Sequence, residues 1–289
     1  MRVIERPAKT ILTKSKLPDA DYVINPYTGC AFGCHYCYAS FMGRQVGESV
    51  EAWGDYVYVK VNAVDLVRAE LRRMSPMHRK GSILLSSVTD PYQGVEKRYR
   101  LTRGILSVLR DESYPGVVSI LTKSPLVTRD TDILRGLPRC EVGVTVTSTN
   151  DRVSRWLEKA APLSSRRLKA LGELSASGIE TYAFVGPLLP HFVEQPALLE
   201  DLLRRIADAG VRSVYIEHIN LKAYIRTRMV PLLTRENLEV QQLYTSARAP
   251  EHRQRLDAVL EPILDRVGLR LRLGQTIYHN VSATLSRTR

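Results

Sequence analysis

The chain is 289 residues long, 44% hydrophobic and 25% charged, with a formal net charge of +12. That is enough apolar material for one large core, and α/β barrels of this length commonly form a single domain. The apolar residues come in short bursts between charges, which argues against a membrane-spanning helix or a membrane partner, and the N-terminal MRVIERPAKT has no signal-peptide apolar region, so a cytoplasmic location with reduced thiols is expected.

Residues 1–21 carry prolines, lysines and no clear period, and read as an N-terminal arm ahead of one domain over 22–289. Tyr22–Ile24 is aromatic and β-branched, a strand that Pro26 and Gly29 break just before Cys30. Tyr56–Lys60 alternates as a strand and would bring Lys60 to a barrel mouth, after which Asn62 caps a helix with Val64, Leu66, Val67 and Leu71 at helical spacing. Ile83–Leu85 is a short buried strand running into the polar loop SSVTDPYQG. A helix with Leu101, Ile105, Val108 and Leu109 leads to a strand over 117–121 and the turn Thr122-Lys123-Ser124-Pro125. Thr128 caps a helix through Leu134, and a strand over 142–146 carries Thr145, with Thr147 on the same face by the two-residue period. Two helical stretches around Pro162 fill 151–177, and Gly178 closes the second. A strand over 181–185 ends in GPLLPHF, where His191 is a candidate acid or base. A helix over 195–209 precedes a strand over 211–216, whose exit carries Glu217, His218, Asn220 and Lys222. Residues 232–264 are largely helical and 269–273 read as a last strand. Strands alternating with helices about six times argue for a parallel sheet, and β/α barrels gather their functional groups at the strands' C-terminal ends.

Three of the four cysteines, Cys30, Cys34 and Cys37, stand at C-x3-C-x2-C spacing in CAFGCHYCY. Thiolates so close along a loop converge on one metal centre, and soft sulfur selects zinc, copper(I) or iron–sulfur clusters. A zinc finger or ribbon wants two cysteine pairs, and Cys140 alone cannot supply the second. Three local ligands favour a 4Fe–4S cluster with one iron open to a substrate or cosubstrate. The alternatives are a zinc site completed by Cys140 and cysteines that merely cluster in a core. Cys140 itself, at the entering end of its strand, reads as a buried structural thiol. Tyr36 and Tyr38 would shield the centre from water and oxygen, while Phe32 reads as ordinary packing.

The cysteine motif and its aromatic neighbour resemble the radical S-adenosylmethionine (SAM) superfamily, and the context NPYTGCAFGCHYCYA is similar to the branch containing spore photoproduct lyase. The resemblance implies a partial (β/α)6 TIM-like barrel of the α/β class with a C-terminal helical extension. It implies an enzyme in which Cys30, Cys34 and Cys37 bind a 4Fe–4S cluster and SAM chelates the fourth iron. One electron from a donor of flavodoxin or ferredoxin type then cleaves SAM to methionine and a 5′-deoxyadenosyl radical that takes hydrogen from a substrate. By match to the branch, Tyr38 lies near the adenine, and Tyr36 and Tyr38 correspond to a tyrosine pair that relays a hydrogen atom. Ser86, Thr89, Asp90 and Gln93 of the TDPYQ-like loop become site candidates, with Asp90 accepting a charge-assisted hydrogen bond from the SAM ammonium. Lys123 of TKS meets the SAM carboxylate as a point charge. Thr145 or Thr147 contacts the ribose or carboxylate, and Arg166 or Arg167 reaches toward the site. Ser87 stands where the branch's lyases carry a hydrogen-donating cysteine. A serine O–H bond is too strong to give a hydrogen atom readily to a carbon radical, so photoproduct reversal is not expected.

The charge excess is compatible with phosphate-rich partners, since each neutralised phosphate releases counterions, and equally with solvated helix faces, because the basic residues are spread along the chain. Charge alone does not decide between these; taken together with the resemblance to the branch, it makes nucleic acid or nucleotide the leading substrate expectation, ahead of a peptide or small metabolite. A non-catalytic, metal-cluster nucleic-acid-binding protein is the reading from another class; the chain shows no aromatic-basic recognition motif to support it.

Overall fold

The computed structural model describes residues 1–279. Its strands, in chain order, begin with β1 (Arg2–Arg6), β2 (Leu12–Lys14), β3 (Tyr22–Ile24), β4 (Tyr27–Thr28), β5 (Tyr56–Lys60) and β6 (Ile83–Leu85). They continue with β7 (Val118–Thr122), β8 (Cys140–Thr145), β9 (Glu180–Leu188), β10 (Ser213–His218) and β11 (Arg270–Leu271). Eight of them form one sheet in the order β11-β10-β9-β8-β7-β6-β3-β2. From β3 to β11 every pairing is parallel, and β2 adds an antiparallel edge to β3. Its ends, β11 and β2, are not paired to each other, so the six central parallel strands make an open, partial barrel.

Helices cover the sheet, and their apolar stripes explain why. The helix Ala63–Arg73 buries Ala63, Val67 and Leu71, one residue per turn, and Pro196–Asp208 buries Leu199, Leu202, Leu203 and Ile206. Each fully buried leucine or valine contributes about 1.5–3 kcal/mol. On β8, Glu141 through Thr145 are all buried, as expected for a central parallel strand covered on both faces.

The sequence reading needs correction at four places. The strand Tyr56–Lys60 is not a barrel strand: it sits in a separate sheet of order β1-β5-β4. Lys60 therefore ends a strand outside the barrel, and its Nζ donates to the Asn25 carbonyl at 2.7 Å. Alternation identifies a strand but not the neighbour it pairs with. The arm is likewise structured, supplying β1, which runs parallel to β5 with Arg2 opposite Tyr56, and β2. Asn62 stands at its helix's N-cap without a capping side-chain bond, because its amide holds the arm instead, exchanging bonds with the Ala8 N–H (2.8 Å) and carbonyl (3.0 Å). Finally, Ser124 rather than Thr128 caps the turn after β7. Its Oγ accepts from Leu126 N–H, Pro125 occupies the first position, and a 3-10 stretch Pro125–Asp130 precedes the short helix Thr131–Leu134.

Candidate active site

The cysteine loop leaves β3 and β4 and crosses the C-terminal end of the sheet. Gly29 has φ +89°, and a Cβ there would lie 2.6 Å from the Tyr56 carbonyl, so only glycine lets the chain enter the loop against β5. Gly33 and Gly54 face each other so closely that a Cβ on Gly54 would stand 2.7 Å from the Gly33 Cα. The loop is then fastened to a distant segment. Cys34 bridges Glu158 in antiparallel fashion, His35 N–H donates to the Leu157 carbonyl at 2.9 Å, and Ala160 N–H donates to the Phe32 carbonyl at 3.0 Å.

Gln93, fully buried, ties the same loop to the segment after β6. Its Oε1 accepts from Ala31 N–H at 2.8 Å, and its Nε2 donates to the Gly29 carbonyl at 3.2 Å and to Thr89 Oγ1 at 3.0 Å. Thr89 Oγ1 donates to that carbonyl too, at 2.6 Å. Ser86 Oγ donates to the Ile24 carbonyl at 3.1 Å, joining the ends of β3 and β6.

All three cysteines open onto one cavity of about 550 Å3 inside the barrel, within the range of small-molecule sites. Tyr36, Tyr38, Ser86, Ser87, Thr89, Asp90, Lys123 and Thr145 line it as well. Of the sequence-derived candidates, Thr147 does not line the cavity: it follows β8, and its hydroxyl is buried with no hydrogen-bond partner among the described residues. Asp90 reaches the cavity wall but is already engaged. Its Oδ1 accepts from Tyr92 N–H (2.9 Å) and Thr122 Oγ1 (2.7 Å), and its Oδ2 accepts from Lys123 N–H (2.7 Å). Burial raises its pKa against these bonds and the Lys123 charge. A carboxylate offers about four acceptor directions, so one remains for a ligand.

Tyr36 carries a network that the sequence did not announce. Its hydroxyl donates to Glu158, which is paired with Arg167, and both members of that pair are buried. Arg167 Nη1 also donates to the Thr145 carbonyl at 3.3 Å, and its Nε to the Pro162 carbonyl at 2.7 Å. Burial pushes the Glu158 pKa up, but Arg167, Lys123 and the Tyr36 hydrogen bond outweigh it and the net shift is downward. Lys123 Nζ lies 5.7 Å from the centre of the Tyr36 ring, a cation–π contact. The Tyr38 hydroxyl donates to the Ser87 carbonyl, and its own carbonyl accepts from Tyr224 at 3.0 Å.

Glu217 and Asn220 also line the cavity, and Glu217 Oε1 lies 2.8 Å from His279 Nε2. His218 points elsewhere, with its Nε2 3.3 Å from His252 Nδ1; burial, then the neighbouring His252 and Arg253, push it down to about 4. His191 is outside the cavity, packed on Phe192. Cys140 starts β8 at the far end of the sheet, with burial raising its thiol to about 12. At that end the cavity has a polar floor. Arg272 is held between the rings of Tyr182 and Tyr215, pairs with Glu141 at 2.9 Å, and Tyr215 donates to Asp19 of the arm.

The donor set fits an iron–sulfur centre. Burial raises all three thiols, Cys34 to about 12, so they present as neutral groups that a cationic centre would deprotonate on binding. Among the described residues no three His, Cys, Asp or Glu side chains gather tightly enough for a single metal ion. The three cysteines instead share one cavity wall, an arrangement suited to the separate corners of a cluster.

An open α/β barrel with a three-cysteine loop over its strand ends, and a cavity of about 550 Å3 beneath it, defines the class. A family model described as the radical SAM superfamily matches residues 24–197, and the chain belongs to that superfamily. It is a radical SAM enzyme, a class that implies SAM, an iron–sulfur cluster and a reductant. It is similar to an uncharacterised protein of Methanocaldococcus jannaschii, 35% identical over 223 residues, covering 77% of this chain and 80% of that protein. An uncharacterised protein of Mycobacterium bovis is 30% identical over 249 residues, covering 81% and 71% of the two chains. In fold it is similar to spore photoproduct lyase complexed with dinucleoside spore photoproduct, with a TM-score of 0.69 at 16% identity over 93% of this chain and 81% of that one. A mutant of that lyase with bound AdoMet (SAM) and the dinucleoside gives a TM-score of 0.64 at 16% identity, with the same coverage. No helix among the described residues is long and apolar enough to cross a membrane.

Proposed function

We propose that Cys30, Cys34 and Cys37 hold a 4Fe–4S cluster whose fourth iron is left for SAM, and that the enzyme acts on a nucleic acid or nucleotide. The observation that carries the cofactor reading is the convergence of the three cysteines with Lys123 and Asp90, from the two following loops, on one cavity. When bound, the cluster would supply the electron that cleaves SAM reductively, giving methionine and a 5′-deoxyadenosyl radical.

The chain's own residues provide the rest. Lys123 brings a positive charge for the SAM carboxylate, Asp90 its remaining acceptor direction for the ammonium, and Tyr38 an aromatic edge for the adenine. Ser86, Thr89 and Thr145 offer short polar contacts on the same wall. A hydrogen-atom relay through Tyr36 and Tyr38 is supported by both rings lining the cavity. Ser87, beside Tyr38, has no S–H to give, so the reaction is not photoproduct reversal by a cysteine donor. The nucleic-acid part is supported by the net charge of +12 and by the fold likeness to a lyase solved with a dinucleoside photoproduct. An electron donor of flavodoxin or ferredoxin type completes the system.

The test is anaerobic reconstitution, reduction with dithionite in the presence of SAM, and chromatography of the products. 5′-Deoxyadenosine and methionine should form, and Cys34→Ala should abolish both. A fully loaded wild-type protein that leaves SAM intact would sink the proposal.

A further inference from the structure

Packed against the cysteine loop, and not among the residues that line the cavity, lies a charge without an evident purpose. Arg228 belongs to the helix Ala223–Leu233, where Ile225, Arg228 and Met229 are the buried residues, so the apolar stripe of that helix contains a guanidinium. The residue is 7% exposed. Its Nη2 donates to the Trp53 carbonyl at 3.3 Å, while its Nη1 is buried with no hydrogen-bond partner among the described residues. Withdrawing an unpaired charge from water is costly, and nearby groups normally offset it.

The helix is in direct contact with the cysteine loop. The Arg228 carbonyl lies 3.4 Å from His35 Nδ1, and Tyr224 donates to the carbonyl of Tyr38. Two further buried hydroxyls without partners among the described residues, those of Ser40 and Tyr56, border the same loop: Ser40 N–H donates to the Cys37 carbonyl at 3.4 Å, and the Tyr56 ring closes on Gly29. Burial disfavours the Arg228 charge, and the groups that most favour it are Cys37 and Cys34, ahead of Tyr56 and Glu51. Lys123 faces these cysteines from the cavity, where SAM would take up its charge; Arg228 does not line the cavity and cannot be claimed by SAM or substrate.

We propose that Arg228 is the counter-charge of the iron–sulfur centre, a positioning residue that neutralises the thiolate-bound cluster from outside the cavity and holds its reduction potential up. The inference rests on the 4Fe–4S reading above. Three thiolates give such a cluster a net negative charge that grows by one on reduction, and cluster potentials follow net charge and hydrogen bonding to sulfur. A fixed guanidinium therefore favours the reduced form, the state in which an electron is available for SAM.

The experiment compares wild type, Arg228→Lys and Arg228→Gln, each reconstituted anaerobically, by iron and sulfide content and by a redox titration followed by electron paramagnetic resonance. Arg228→Gln should be about tenfold harder to reduce, a midpoint lower by about 59 mV, while Arg228→Lys keeps most of the wild-type value. Arg228→Met fills the same apolar stripe and carries the same expectation if the glutamine variant does not fold. Iron lost from the folded neutral variants but kept by the lysine variant also supports the proposal. An unmoved midpoint in the neutral variants overturns it, as does a lysine variant that falls as far as they do or loses its iron with them. A wild-type chain that takes up no 4Fe–4S cluster overturns the functional reading and this one together, whereas a wild-type cluster indifferent to Arg228 overturns this one alone.

Discussion

Single residues in this site differ in what their loss would expose. Glu158 and Arg167 neutralise each other where neither has water, and Tyr36 adds one hydrogen bond to the pair. Glu158→Gln leaves the Arg167 guanidinium buried and unopposed, a change that costs about 3–5 kcal/mol. Tyr36→Phe removes a hydroxyl and leaves the ion pair whole, at a cost of about 1 kcal/mol. Chemical denaturation should rank the two in that order, and similar losses would mean that the pair is not the anchor of the loop. Arg167 was visible in the sequence only as one of two arginines that reach toward the site. Nothing in the string EKAAPLSSRRLKAL marks Glu158, because a charged residue acquires this role through burial. Arg228 left a fainter trace, standing between Ile225 and Met229 where the helical period asks for an apolar residue.

At the scale of elements, Lys60 shows how a correct strand can carry a wrong inference. It ends β5 in the side sheet, where burial, helped by the nearby Arg6 charge, pushes its ammonium down to about 8. The unfolded chain holds that proton up to the ordinary value of 10.5, so between the two pH values it binds more protons than the native state, and native stability rises with pH. The gain is complete above 10.5 and lost as pH falls to about 8. The stability of wild type minus that of Lys60→Met, followed by urea denaturation, should therefore increase by about 2 kcal/mol across this window, the figure reduced for partial exposure. A flat difference would contradict the buried setting of the ammonium.

The parallel strands from β3 to β10 were legible because each is a short apolar run followed by polar loop chemistry, and the cysteine, Asp90 and Lys123 strings sit in those loops. The arm was not. β1 is mostly exposed and pairs with a strand some fifty residues later, so it carries neither a buried face nor a local partner to betray it. Thr147 was placed beside Thr145 by a two-residue period that stops applying once β8 ends at Thr145.

For the whole molecule, the excess of positive charge makes its own forecast. If the substrate is nucleic acid, the logarithm of the binding constant should fall linearly with that of salt concentration. Contact with about five duplex phosphates gives a slope of about −4.5. Fluorescence anisotropy of a labelled oligonucleotide over a salt series measures it, and Cys34→Ala should leave the slope unchanged. A slope near zero would return the choice to a peptide or small metabolite. The internal cavity adds a geometric limit, since the Arg272, Glu141 and Asp19 floor closes its far end and a long polymer must approach from the mouth.

The bridge between Cys34 and Glu158 sets an order of assembly. It joins residues separated in sequence by the parallel strands β6, β7 and β8, and the Tyr36–Glu158 contact spans 122 positions of sequence. Contacts so remote form only after the intervening chain has been gathered, since loop closure must be met before they contribute. The cysteine loop is near the beginning of the chain, yet its final shape waits on a segment past the middle. If the three cysteines hold the proposed cluster, iron insertion belongs to the close of folding, after the fourth crossover has docked.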